Sequence, residues 1–307
     1  MKFMTNYNIT NKLKTVSGIT IVPFDKNTKE IDWTGVEENI NFLISKGVEV
    51  LVPCGNTSEF YSLTLEESKQ VIKKTVEIVD NRALVMPGIG YSVDTAISLG
   101  NYASEVGADA VMIHMPVHPY ITTNGVKQYF EKIINSIDIP STIYFKDPHI
   151  EDSIILELSN LEKFAGVKYA INDLPRFAKI TEAVKDLDNV AMICGTAEQW
   201  APFFFTVGAT GFTSGLVNVY PEKSLELLDV LQKKDYSSAF KIWHEIIKFE
   251  DLRAKYNDGN NVAIIKESMN MIGLNGGVTR EPVDGVSEQD KAETIDLLKK
   301  WGFKPEQ

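Results

Sequence analysis

Phe164-Ala165-Gly166-Val167-Lys168-Tyr169-Ala170 is a short apolar run interrupted by one lysine near its end. Apolar residues at successive positions suit a strand covered on both faces, as in a parallel sheet flanked by helices. A lysine at the mouth of such a strand has two readings. It marks where a core strand emerges into solvent, as charged side chains mostly do. Or it is a buried amine, and a buried amine is a potential nucleophile. The segments on either side bear on the choice.

Moving outward, short β-rich runs alternate with longer amphipathic stretches. Before Phe164, the pattern predicts strands over Ser17–Pro23, Gly47–Pro53, Ala83–Gly88, Asp109–His114 and Ile139–Tyr144. Helices are expected between them over Trp33–Lys46, Thr64 to about Asp80, Ser92–Val106 and Thr123–Ser136, with a short one around Glu151–Ser159. Thr64 and Glu67 have the spacing of a capping box. After Phe164–Lys168 come a helix over Asn172–Asp186, a strand over Val190–Cys194, a helix over Ala197–Val207 and a last strand over Ala209–Thr213. Each unit has the length a βαβ crossover needs. Eight in a row predict an α/β fold, a (β/α)8 TIM barrel over residues 1–220. Neither G-x-G-x-x-G after a strand nor a Walker loop is present, so neither NAD nor ATP is indicated. From Pro221 strands cease. Lys223–Lys233, Tyr236–Tyr256, Val262–Ile272 and Glu288–Trp301 read as a C-terminal helical extension over 221–307.

Bulk properties narrow the function. The 307 residues are 44% hydrophobic and 24% charged, as in ordinary globular proteins, and the formal net charge of −11 is spread along the chain. That argues against a nucleic-acid surface, which would show a basic patch. No apolar run approaches the roughly 18 residues a membrane helix needs, and the first residues lack the apolar segment of a signal peptide. A cytoplasmic location is expected, with Cys54 and Cys194 as free thiols filling the core.

In a barrel, chemistry sits where strands end. Tyr144 and Lys168 end adjacent predicted strands, so an amine and a phenol able to shuttle protons can lie side by side. An ordinary lysine is almost wholly protonated at pH 7. Desolvation or a cationic neighbour lowers its pKa, and the neutral amine then condenses with a ketone. The loop Gly55-Asn56-Thr57-Ser58-Glu59 follows the second strand and offers backbone N–H groups and hydroxyls to a carboxylate; a plain turn is the other reading. Gly195 and Thr213 stand at further strand ends and count as candidate lining, and Gly215 and Asn218 suit a backbone that comes close to a ligand.

Together these residues resemble the dihydrodipicolinate synthase and N-acetylneuraminate lyase superfamily of lysine Schiff-base barrel enzymes. Gly55–Glu59 is similar to the family's carboxylate-holding G-x-T-G-E/S-x-E loop, with Ser58 in place of a glycine. Gly166-Val167-Lys168 is similar to its G-[IV]-K, Tyr144 to its strand-five tyrosine, and Gly211–Asn218 to its G-x-x-S-x-x-x-N element. The resemblance implies Lys168 as Schiff-base nucleophile, Tyr144 as proton relay, and Gly55, Asn56, Thr57 and Ser58 around the carboxylate of pyruvate or another 2-keto acid. It implies no cofactor beyond the covalent Schiff base, no metal, and a homodimer or homotetramer. Three positions depart from the synthase proper. Asn56 replaces a threonine, His118 a relay tyrosine reaching in from the neighbouring subunit, and His149 an arginine for the substrate carboxylate. Glu59-Phe-Tyr-Ser-Leu-Thr64 looks more like the G-E-F-F-S-L-T of the 5-dehydro-4-deoxyglucarate dehydratase branch, which would make Lys146 and Asp147 contacts for a polar substrate. The expected function is therefore a Schiff-base lyase performing aldol cleavage, condensation or dehydration. Two alternatives stay open: a non-catalytic keto-acid-binding paralogue, and a metal-dependent barrel enzyme using His114, His118 and His149.

Overall fold

The computed structural model describes residues 6–306. Nine short strands form one sheet: β1 Val16–Ile19, β2 Val50–Val52, β3 Leu84–Val85, β4 Gly88–Ile89, β5 Val111–Ile113, β6 Ser141–Phe145, β7 Phe164–Tyr169, β8 Ala191–Cys194 and β9 Gly211–Ser214. Their order is β3-β2-β1-β9-β8-β7-β6-β5-β4. The two ends of that order are one stretch of chain. Pro87 lies between β3 and β4 and has no N–H to donate, so the ladder is interrupted there. Met86 N–H still bonds Leu51 O on one side (2.9 Å), and Met112 N–H bonds Pro87 O on the other (2.9 Å). Residues 84–89 therefore act as one staggered strand that closes the sheet into the expected eight-stranded barrel. Every strand residue is buried, which explains why the strands read as apolar at most positions rather than alternating.

The helices follow the same logic. They are α1 Asn6–Lys12, α2 Trp33–Ser45, α3 Leu65–Val79, α4 Val93–Val106, α5 Thr123–Ser136, α6 Ser153–Leu158, α7 Leu174–Val184, α8 Ala197–Phe205, α9 Pro221–Gln232, α10 Tyr236–Ala254, α11 Asn261–Met271 and α12 Glu288–Lys300. Several start on side-chain caps that the sequence announces: Asp32 accepts from Gly35 N–H, Ser92 from Thr95 N–H and Asp173 from Arg176 N–H. Thr64 and Glu67 form the reciprocal capping box at the start of α3. The short helix α1 was not anticipated; it is about two turns long, and Ile9, Thr10 and the following Leu13 are buried.

The chain clusters into two compact units. One gathers the residues up to Ser17, Glu49–Val52 and Ala83–Thr213, and so carries nearly all of the sheet with α4 to α8. The other gathers Gly18–Val48, Pro53–Arg82 and the residues from Ser214 onward, and carries α2, α3 and the C-terminal helices α9 to α12.

One detail of the first unit governs the site. Along β6 and β7 the register begins Ser141↔Phe164 but continues Thr142↔Gly166, so β7 holds one extra residue, Ala165. This β-bulge advances β7 by one position. Tyr144 would otherwise face Val167; it faces Lys168. Because side chains alternate between faces, a slip of one residue moves a side chain to the opposite face. Gly166 sits in the bulge with its backbone against β8. A Cβ there would come within 2.6 Å of the Ala191 carbonyl oxygen. Gly166→Ala should therefore lower stability by about 1–3 kcal/mol, the usual cost of overpacking, measured as a reduced urea midpoint; an unchanged midpoint would show that β7 can shift without cost.

Candidate active site

Lys168 lies within the fully buried β7 and is only 5% exposed. Its Nζ stands over the ring of Tyr144, 4.2 Å from the centroid. Tyr144 is itself 9% exposed and packs edge-on against the buried His114, with centroids 6.0 Å apart. Burial is the main reason the Lys168 pKa falls to about 7; the ammonium of Lys146 pushes it the same way, and the Cys194 thiol opposes the shift weakly. Of the two readings of the strand-end lysine, the buried amine is the one observed. At neutral pH a large share of it is unprotonated and nucleophilic.

The strand on the other side shapes the stem of this side chain. Lys168 is the register partner of Ile193 on β8. Gly195, just past that strand, leaves room for it: a Cβ at Gly195 would lie 3.0 Å from Lys168 Cγ and 2.8 Å from Tyr169 O. Thr213 Oγ1 donates to Gly195 O (3.3 Å), which ties β9 to this turn. Both Gly195 and Thr213 thus belong to the surroundings of Lys168. Cys194 is buried and its thiol pKa is pushed up to about 12, chiefly by burial, so it packs rather than reacts; burial raises Cys54 in the same way.

Lys146 follows β6 directly and is exposed, with Nζ 5.7 Å from the Tyr144 ring centroid. The loop it opens is held from below. Arg176 on α7 forms a two-pronged pair with Asp152 (2.8 Å each) and bonds Pro148 O (2.7 Å) and Ile150 O, while Tyr169 O–H donates to Asp152 (3.1 Å). Asp147 accepts from His149 N–H (2.9 Å). His149 and His118 are exposed, and His118 Nδ1 is engaged by the backbone of Tyr120. His114, by contrast, is buried. Among the described residues no group of three or more His, Cys, Asp or Glu side chains is arranged to hold a metal. The histidine triad of the metal alternative is therefore not assembled; its members lie on differently exposed segments.

In the second unit, the loop after β2 is a 3-10 turn, Asn56–Ser58. It is bracketed by two non-glycine residues in the left-handed region, Cys54 (φ 58°) and Glu59 (φ 56°), a conformation that persists only where the surroundings enforce it. Thr57 is buried and Asn56 half-buried. Ser58, expected to face a ligand, does not. It is fully buried, donates from Oγ to Thr20 O (2.5 Å) and accepts Gly55 N–H (3.2 Å). It braces the turn from within. Gly215 likewise makes room for protein rather than ligand, since a Cβ there would meet Arg253 Nη2 at 2.6 Å. Asn218 is buried and donates to Ile19 O (2.8 Å).

What enforces the turn was missed by sequence reading. The buried carboxylate of Glu59 takes Lys266 Nζ at 2.5 Å and Arg280 N–H at 2.9 Å. Lys266 also donates to Val278 O (2.7 Å). Phe24 is faced by both cations, Lys266 Nζ at 4.3 Å and Arg280 Cζ at 4.0 Å from its centroid. Burial lowers the Lys266 pKa to about 8, against the pull of Glu59. A lysine inside the apolar stretch Val262-Ala-Ile-Ile-Lys266 was the available signal, because such a position on a helix faces the core.

The electrostatics of the first unit can be read directly. Acylation of Lys168 by a small anhydride, followed by peptide mass spectrometry, should titrate with a midpoint near pH 7, the reactive amine growing as pH rises. Exposed lysines should titrate near 10.4. Lys146→Gln should move the Lys168 midpoint upward; a Lys168 midpoint above 10 in the unaltered protein would show that water reaches it.

Known proteins resemble this chain along nearly its whole length. The family profile described as the Dihydrodipicolinate synthetase family matches residues 12–301. A 4-hydroxy-tetrahydrodipicolinate synthase from Methanocaldococcus jannaschii is 31% identical over 288 residues, spanning 92% of this chain and 96% of that protein. Among solved structures, dihydrodipicolinate synthase from Oceanobacillus iheyensis superposes with a TM-score of 0.95 at 54% identity, covering 97% of this chain and 99% of that one. The synthase from Bacillus clausii gives 0.94 at 53%, covering 96% and 100%. With its closed parallel barrel, its buried lysine beside a tyrosine, and a match along nearly its whole length, this chain belongs to the dihydrodipicolinate synthetase family and is an enzyme of that lyase type.

Proposed function

We propose that the enzyme forms a Schiff base between Lys168 and a 2-keto acid, pyruvate or a keto-deoxy sugar acid, and uses it for aldol cleavage, condensation or dehydration. The observation that carries this reading is the buried amine of Lys168 over the Tyr144 ring, its pKa brought to about 7. The neutral amine adds to the C2 carbonyl carbon. The carbonyl oxygen leaves as water, taking one proton from the amine nitrogen and one from the Tyr144 phenol, and a C=N iminium remains. The resulting phenolate then accepts a proton from C3, and the iminium draws the released electron pair into an enamine. The enamine carbon attacks an aldehyde in the synthetic direction, the aldehyde oxygen taking the proton now on the Tyr144 phenol. In dehydration the enamine instead expels a β-hydroxyl, which leaves as water with that same proton. Water then adds to the iminium so formed, returns a proton to the phenolate, and releases the keto product and the free Lys168 amine. No metal or organic cofactor enters these steps.

Other parts of the reading rest on less. Gly55, Asn56 and Thr57 are proposed to seat the keto-acid carboxylate through backbone N–H groups, supported by their place directly after a barrel strand. Gly195 and Thr213 are proposed to line the site, and the exposed His118 and His149 to serve the reaction partner. The barrel is assigned to residues 1–220 and the helical extension to 221–307. A more distant relative, the Acinetobacter baumannii synthase at 25% identity, has been crystallised as a complex with pyruvate, which makes pyruvate the first keto acid to try. Whether the partner is the aldehyde of a synthase or the sugar acid of a dehydratase is a choice between two similar iminium chemistries; the relatives named above favour the synthase. Assembly as a homodimer or homotetramer in the cytoplasm completes the proposal. No helix among the described residues is long and apolar enough to cross a membrane.

Borohydride trapping tests the core of it. Pyruvate or a longer 2-keto acid plus borohydride should add mass at Lys168, and Lys168→Ala should abolish the adduct; no adduct with any 2-keto acid would overturn the reading. With a turned-over substrate, Tyr144→Phe should lower kcat by about 10²–10³-fold, the scale of a lost general acid–base group. Near-normal turnover would move the proton relay to another residue.

A further inference from the structure

Lys146 is a cation in an unusual position. The protein carries a formal net charge of −11, and neighbouring basic groups of the first unit are neutralised: Lys127 by Glu157, Lys163 by Asp138, Arg176 by Asp152. Lys146 makes no ion pair among the described residues. The adjacent Asp147 carboxylate instead accepts from the backbone of His149. The Lys146 ammonium acts on a second amine: its Nζ and that of Lys168 lie 5.7 and 4.2 Å from the same ring centroid, hence at most about 10 Å apart, and the charge of one is felt by the other. Two amines so placed repel whenever both are protonated. Nothing in packing requires this, because Lys146 is exposed and could turn to solvent.

The geometry points to Lys146 as the seat of a second anionic group on the substrate, typically a carboxylate at the far end of the keto acid or of its reaction partner. This deepens the Schiff-base reading and rests on it for the position of the reacting carbon. The chain length follows from strand geometry. Lys146 directly follows β6, two residues beyond Tyr144, and its Nζ lies 5.7 Å from the Tyr144 ring centroid, so both side chains reach toward the same side. Tyr144 in turn faces Lys168 across the β6–β7 register. Two residues along a strand advance roughly 6.5 Å. The distal anion should therefore sit several bonds from C2, further out along the barrel axis than the keto group. A dianionic keto acid of five or six carbons spans that distance, whereas pyruvate does not reach it. An arriving carboxylate would gain a charge-assisted hydrogen bond and cancel the repulsion between the two lysines.

A pair of ligands of equal chain length isolates the effect: 2-oxoadipate, with a terminal carboxylate, and 2-oxohexanoate, without one. Equilibrium binding of each to the full-length protein, without borohydride, should show 2-oxoadipate at least tenfold tighter at low ionic strength, with the preference shrinking as salt rises. Lys146→Gln should erase the preference and Lys146→Arg should keep it. Equal affinity of the unaltered protein for the two acids, or an equal loss for both in Lys146→Gln, would overturn the proposal. The same ligands with borohydride report separately on the Schiff base. A binding preference without an adduct at Lys168 would sink the proposed chemistry and leave the anion seat standing.

Discussion

The desolvation of one primary amine is the constraint on which the site depends. Lys168 is carried by a strand whose six residues are all buried, so water cannot solvate its ammonium. Compared with an exposed lysine, a pKa near 7 corresponds to a cost on the order of 5 kcal/mol for keeping the charged form. That cost is full below about pH 7 and falls as pH rises from there toward the ordinary lysine value, because the folded protein then binds fewer protons than the unfolded chain. It is a stability the fold gives up to hold a reactive nitrogen. A purely structural strand would carry an aliphatic residue there.

Two further features keep the amine in place. The bulge at Ala165 aligns Lys168 with Tyr144, and Gly195 leaves the gap its stem occupies. In the other unit the comparable constraint is the buried Glu59–Lys266 pair. Removing either partner would strand a charge in the core, a change that costs about 3–5 kcal/mol in measured systems. The pair pins the left-handed Glu59 and so fixes the turn Asn56–Ser58 that precedes it. Each unit thus spends stability on a polar group that packing alone would not choose, which is the usual mark of a functional site.

Much of the fold was legible. Parallel strands buried on both faces are apolar at most positions, and the start of α3 advertises itself through Thr64 and Glu67; periodicity, with that one capping box, therefore located the β/α units closely. The misses have identifiable causes. Pro87 splits a strand that reads as continuous. Ser58 is polar and sits in a polar loop, yet its hydroxyl is consumed by Thr20 O and Gly55 N–H. Gly215 reads as an opening for a ligand and is an opening for Arg253. Residue type states what a side chain is able to do, not which neighbour has already claimed it.

The sequence by itself determined that eight β/α units follow one another, that a lysine stands near the end of one strand and a tyrosine near the end of the strand before it, and that no nucleotide loop accompanies them. Those features rest on local periods and residue chemistry, which are written along the chain. Only the tertiary structure decided that the two side chains meet. Strand register is a contact between segments some twenty residues apart, and the one-residue bulge that sets it leaves no local trace in composition. Without Ala165 as the extra residue, Val167 would face Tyr144 and the lysine would be carried to the other side of the sheet.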